Sequence, residues 1–203
     1  TVSREMMNRI LRKLQNEYRI FAPVHRPDRG RWETDGLIRY QEISSLEEIV
    51  TDRQSDFSPK EVIFPVAEPI FKFDEDNCRE CVSTDPKGII IFARPCDING
   101  MKRLDNMFLA NGGVVDPYYS RVRGRVKFFM MECEESWDNC FCVSMKSNIA
   151  DYYSVACRIG KDEILLKIKD GEFADYFDWA RDCDYEPRFI MEYEKKVRVP
   201  EIT

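Results

Sequence analysis

Histidine is almost missing from this chain. His25 is the single one in 203 residues, so a two-histidine metal site and a histidine acid–base pair are excluded by count. His25 sits in a Pro-flanked stretch and reads as a surface loop residue. No Gly-x-Gly-x-x-Gly, Walker loop, nucleophile elbow or zinc-protease signature occurs, which removes a recognisable nucleotide pocket and hydrolase machinery. Long apolar runs are absent too. Ile89–Ala93 and Phe128–Met131 are of strand length, far short of the roughly 20 apolar residues that span a bilayer. Thr1–Met6 has no apolar signal-peptide core, so a cytoplasmic protein without membrane insertion is expected. Positive charge is in deficit, with 31 Lys and Arg against 37 Asp and Glu and a net charge of −6. Phosphate binding is driven mainly by Lys and Arg, so this balance argues against nucleic acid. The basic sets Arg26/Arg29/Arg31 and Arg121/Arg123/Arg125 fall among turn residues and read as solvated loops.

What is present is core-forming material. Hydrophobic residues make up 43%, with 13 Phe, 9 Tyr and 3 Trp, enough to offset chain entropy in a folded domain. Residues 3–17 have helical spacing, with Ser3 as cap. Residues 18–21 read as a strand stopped by Pro23, 37–43 as a strand, and Ser44/Ser45 as the cap of a short helix through Val50. Residues 51–61 read as polar loop, and 62–73, with two prolines, as an edge strand or irregular chain. Lys87–Ala93 is continuously apolar, as in a strand covered on both faces. Asp97 is the expected N-cap of a helix that runs to Asn111-Gly112-Gly113, and Arg125–Met131 is a second apolar strand. Strand, helix, strand makes a βαβ unit with parallel strands. Beyond it, 152–159 and 163–168 form an antiparallel hairpin, Glu172–Arg181 a short helix and Arg188–Tyr193 a last strand. The expectation is a single α+β domain over 1–203, its mixed sheet flanked by helices, with a lobe boundary near residue 86 as an option.

The eight cysteines stand at 78, 81, 96, 133, 140, 142, 157 and 183. In a reducing compartment, clustered cysteines mean metal or redox chemistry more often than disulfides. Cys96 and Cys133 each lie just past a strand of the βαβ unit, in the crevice where open sheets gather ligands. Cys140-Phe141-Cys142 follows within ten residues. Four thiolates suit a [4Fe–4S] cluster or a structural zinc, although the spacing matches neither ferredoxin runs nor zinc ribbons. Buried, chemically idle thiols are the plainer alternative. Asp97, beside Cys96, is a candidate oxygen ligand. Cys78 and Cys81 read as idle thiols on an exposed acidic loop, Cys157 as core, and Cys183 as structural or exposed.

Phe92-Ala93-Arg94-Pro95-Cys96-Asp97-Ile98-Asn99, then Arg103-Leu104-Asp105, Glu132–Ser136 and Asn139–Met145 resemble the electron-transfer subunit of anaerobic sulfite reductase. Hydrogenase beta-type subunits are similar around the Pro-Cys-Asp and Cys-Phe-Cys segments. The resemblance runs from the first helix to about residue 193. It implies an electron-relay role with an iron–sulfur cluster, liable to loss on aerobic purification, on Cys96, Cys133, Cys140 and Cys142. It further implies two partners, one flavin-containing and one sirohaem-bearing, the latter reducing sulfite to sulfide. The family's C-terminal ferredoxin module, with its cysteine runs, is not in this sequence. The chain is therefore expected to be inactive alone. A non-redox docking domain, with reduced cysteines or a zinc, is the alternative reading.

Overall fold

The computed structural model describes residues 1–27, 36–65, 67, 69–81 and 85–193. Its centre is a seven-stranded mixed sheet. In chain order the elements are β1 (Val2–Ser3), α1 (Arg4–Leu14), β2 (Tyr18–Arg26), β3 (Leu37–Glu42), α2 (Lys60–Ile63), β4 (Phe71–Phe73), β5 (Cys78–Glu80), β6 (Gly88–Ala93), α3 (Pro95–Asp105), α4 (Pro117–Arg123), β7 (Val126–Met131), β8 (Val155–Ile159) and β9 (Glu163–Ile168). The strands lie in the order β1-β9-β8-β7-β6-β2-β3, and β4 with β5 forms a separate hairpin. The inner neighbours β2/β6, β6/β7 and β7/β8 are parallel, while the outer pairs are antiparallel. Strands from both sides of residue 86 thus share one sheet.

The apolar runs read as they do because both sheet faces are covered. Along β6 and β7 side chains alternate between faces. Ile90, Phe92, Phe129 and Met131 pack under α1 with Met7, Leu11, Leu14 and Phe173. Ile89, Ile91, Phe128 and Met130 pack under α3 and α4 with Ile98, Met101 and Tyr119. The result is a three-layer arrangement with β6 and β7 at its centre. Gly88 allows β2 and β6 to close: a Cβ there would lie 2.5 Å from the Tyr18 ring.

The helix over 3–17 forms as α1, with Ser3 accepting from the Met6 N–H at 3.2 Å. The turn at Ser44/Ser45 is a 3-10 helix at Leu46–Glu48, and the hairpin near 160 is present as β8/β9. Other expectations need correction. Pro23 does not stop β2, which continues to Arg26 with His25 exposed in it. The Pro23 carbonyl accepts from Val50 on the side where pairing with β6 has already ended at Phe21, so the missing N–H interrupts no ladder. Arg121 and Arg123 lie on α4, capped by Asp116, rather than in a solvated loop. Arg123 is buried and forked onto Asp105 at 2.8 and 2.9 Å. Arg29 and Arg31 lie outside the described residues. The helix after α3 distorts into a π turn at Asn106–Ala110. Residues 171–177 form a 3-10 helix instead of a helix to Arg181. Cys78 stands on β5 rather than in a loop, though exposed. Residues 188–193 form no strand and are held by side-chain bonds instead, the Arg188 N–H donating to Glu132, the Asn148 amide to the Ile190 carbonyl and the Ser144 N–H to the Tyr193 hydroxyl.

Candidate functional site

β6 and β7 are parallel neighbours, so their C-terminal ends open on the same sheet edge. The chain leaves β6 as Arg94-Pro95-Cys96-Asp97 and β7 as Glu132-Cys133. Arg94 is the N-cap of α3 and Pro95, pre-set for the first helical turn, follows it. Asp97 is therefore not the N-cap but the third helical residue. Its carboxylate reaches back to the Arg94 N–H at 3.4 Å and also accepts the Tyr40 hydroxyl at 3.2 Å.

The loop after β7 folds over this edge in tight turns. The Cys140 N–H donates to the Trp137 carbonyl, and the Trp137 N–H donates to the Cys140 sulfur at 3.2 Å. A second turn brings the Ser147 N–H to the Cys142 carbonyl at 2.8 Å, with Lys146 held left-handed at φ 53°. On the far side, residues 54–58 are pinned beside β3, where Ile38 and Asp56 exchange hydrogen bonds of 2.7 and 2.9 Å.

These pieces enclose a cavity of about 350 Å³ lined by Cys96, Cys133, Cys140 and Cys142 together with Arg94, Asp97, Trp137 and the 54–58 loop. A smaller pocket beneath is shared by Cys96, Cys133 and Cys142 with Arg188, Phe189 and Ile190. Cys78 and Cys81 do not line it, Cys157 is buried in the core, and Cys183 is exposed. Sequence reasoning missed Arg94 and Trp137. Arg94's position at the strand end, just before Pro-Cys-Asp, was the available signal.

The electrostatics are those of a desolvated thiol cluster. Burial pushes the Cys96 thiol well up, with Asp97, Cys133 and Cys142 adding to the effect and Arg94 opposing it. Burial likewise raises Cys133, against the charge and hydrogen bond of Arg94. Cys142 is raised by burial and by Cys140 and Cys133. The Asp97 carboxyl is raised by burial, opposed by Arg94 and Tyr40. Among the described residues no three His, Cys, Asp or Glu side chains are gathered closely enough to hold a single metal ion. Four thiols around one cavity, with N–H donors on two of the sulfurs, are the donor type of an iron–sulfur group and of a structural zinc alike.

Fold and site together define an α+β domain with a thiol-lined cavity at the C-terminal edge of its parallel strands. No family model matches the chain, and no solved structure matches it. It is 27% identical over 193 residues to the beta subunit of sulfhydrogenase 2 from Pyrococcus furiosus. That alignment covers 91% of this chain and 54% of the relative, so the chain spans about half the length of the curated protein it matches. No helix among the described residues is long and apolar enough to cross a membrane.

Proposed function

We propose that this chain is an electron-relay component of a multi-subunit, cytoplasmic oxidoreductase, and that Cys96, Cys133, Cys140 and Cys142 hold an iron–sulfur cluster of the [4Fe–4S] kind. The observation that carries this is the convergence of these four cysteines, out of eight, on one cavity. When bound, such a cluster takes up and releases electrons at a potential set by its surroundings. The chain's own task is to supply thiolates, exclude water and fix the local charge. Burial of Cys96 and Cys133 serves the second of these. Asp97 is a weaker ligand candidate than the thiols, because its carboxylate is already engaged by Tyr40 and the Arg94 N–H.

The finer assignment depends on which kinship is followed. The motif resemblance supports a relay in an anaerobic sulfite reductase, between its flavin-containing and its sirohaem-bearing subunits. The similarity to a sulfhydrogenase beta chain supports a hydrogenase-type complex instead. In either setting the hard redox chemistry belongs to a cofactor held by a partner. The test uses anaerobically prepared chain: visible absorbance should bleach with dithionite and return with an oxidant, without sulfide release from sulfite. Absence of any reversible chromophore would overturn the relay, and sulfite turnover by the chain alone would overturn the assignment of chemistry to a partner.

A further inference from the structure

Arg94 is only 5% exposed, and a buried guanidinium needs compensation for lost hydration. Its fork donates to the carbonyls of Thr51 and Arg53 at 3.0 and 3.1 Å and to the sulfur of Cys133 at 3.4 Å. Its plane lies over the Trp137 ring, 4.3 Å from the centroid. None of the ion pairs among the described residues involves it. Asp97 feels its charge, but that carboxylate is committed to Tyr40 and to the Arg94 backbone N–H. The contrast is Arg123, equally buried, which forks onto Asp105. Arg94 is thus a fixed cation, held from behind by two carbonyls on one terminal nitrogen and by an aromatic face, while its other terminal nitrogen donates to a cysteine sulfur in the cavity wall.

We infer that Arg94 is the positioning residue of this site: it presents a fixed positive charge and an N–H donor to the Cys133 sulfur, and so raises the reduction potential of the anionic cluster bound there. The inference rests on the cluster reading above. Reduction adds one negative charge to the cluster, and a cation fixed in a weakly screened interior stabilises the more negative state. Hydrogen bonds to the sulfurs act in the same direction. Arginine suits the task because its planar fork can bond two carbonyls and a sulfur at once while stacking on Trp137. Lysine, a compact hydrated point charge, cannot do all of these.

The test compares wild type, Arg94→Gln and Arg94→Lys as full chains, anaerobically reconstituted with iron and sulfide. Iron content is measured, melting curves report folding, and a redox titration followed by electron paramagnetic resonance reports the potential. The potential should move downward in Arg94→Gln, and downward by less in Arg94→Lys, at unchanged iron content. Should Arg94→Gln not fold, Arg94→Lys carries the test by its own downward shift. A loaded variant at the wild-type potential overturns the role of Arg94 and leaves the cluster reading standing. Wild type that takes up no iron overturns the cluster reading and this inference with it.

Discussion

The side-chain amide of Asn99 donates to the carbonyl of Ile149 at 2.8 Å and to that of Ser147 at 3.1 Å. Asn99 lies one turn into the helix that starts beside Cys96, and Ser147 ends the turn that carries Cys142. One amide therefore holds the two halves of the thiol cavity together. Asn99→Ala should lower unfolding free energy by about 0.5–1.5 kcal/mol, since the Ile149 carbonyl is exposed to water and only that of Ser147 is partly buried. It should also reduce iron uptake although every cysteine remains. Denaturant unfolding and iron analysis check both, and full iron uptake in a destabilised variant would mean that the loop needs no such fastening.

Glu132 fastens the segment that covers the cavity from below. Its carboxylate is 4% exposed and accepts from Arg158 at 2.6 Å, the Tyr185 hydroxyl at 2.7 Å and the Arg188 N–H at 2.6 Å. Removing it in Glu132→Ala leaves Arg158 and Tyr185 without their partner, a loss of about 2–3 kcal/mol, because the Arg158 side chain is 27% exposed and water takes up part of the lost bond. Tyr185→Phe, which removes one neutral donor, should cost roughly 0.5–1.5 kcal/mol. Urea midpoints decide whether that order holds.

Lys127 joins Asp170, at 2.9 Å, and Glu172 on the sheet surface. Both carboxyls are held below their ordinary range, first of all by the hydrogen bond from Lys127. A folded-state pKa below the unfolded value adds stability above the unfolded carboxylate range near about 4, and that stability is lost as pH falls through the lowered folded value. These groups are about a third or more exposed, so solvent screening holds the contribution to about 1 kcal/mol or less. Lys127→Met should therefore unfold at lower urea than wild type at pH 7. The gap should close in strong acid, and a gap that widened there would contradict the sign.

The parts of the fold legible in the sequence were those fixed by local pattern. The two apolar runs around Ile90 and Phe129 could only be strands covered on both faces, and Ser3 announced the first helix. What was hidden depended on distant partners. β2 passes Pro23 because its neighbour has already ended, which no local rule reveals. α4 was masked by the arginines that suggested a solvated loop, although Asp116-Pro117 is a helix-start signal. The stretch 188–193 looks like a strand by composition but meets the buried Glu132 instead of a sheet edge. In the site, the cysteines past β6 and β7 were legible from the βαβ pattern. Arg94 was not, because its meaning comes from Thr51, Arg53 and Trp137, on segments far from it in sequence.

Cysteine choice tests the central claim most directly. Iron and acid-labile sulfide are counted in anaerobically reconstituted chains, beside zinc. Wild type should hold about four of each per chain, the content of one [4Fe–4S] cluster. Cys96→Ala, Cys133→Ala, Cys140→Ala and Cys142→Ala should each lose most of it, and the Cys78→Ala/Cys81→Ala double variant should keep it all. Stoichiometric zinc in place of iron, or iron that vanishes with Cys78 and Cys81 while surviving loss of Cys133, would contradict the account.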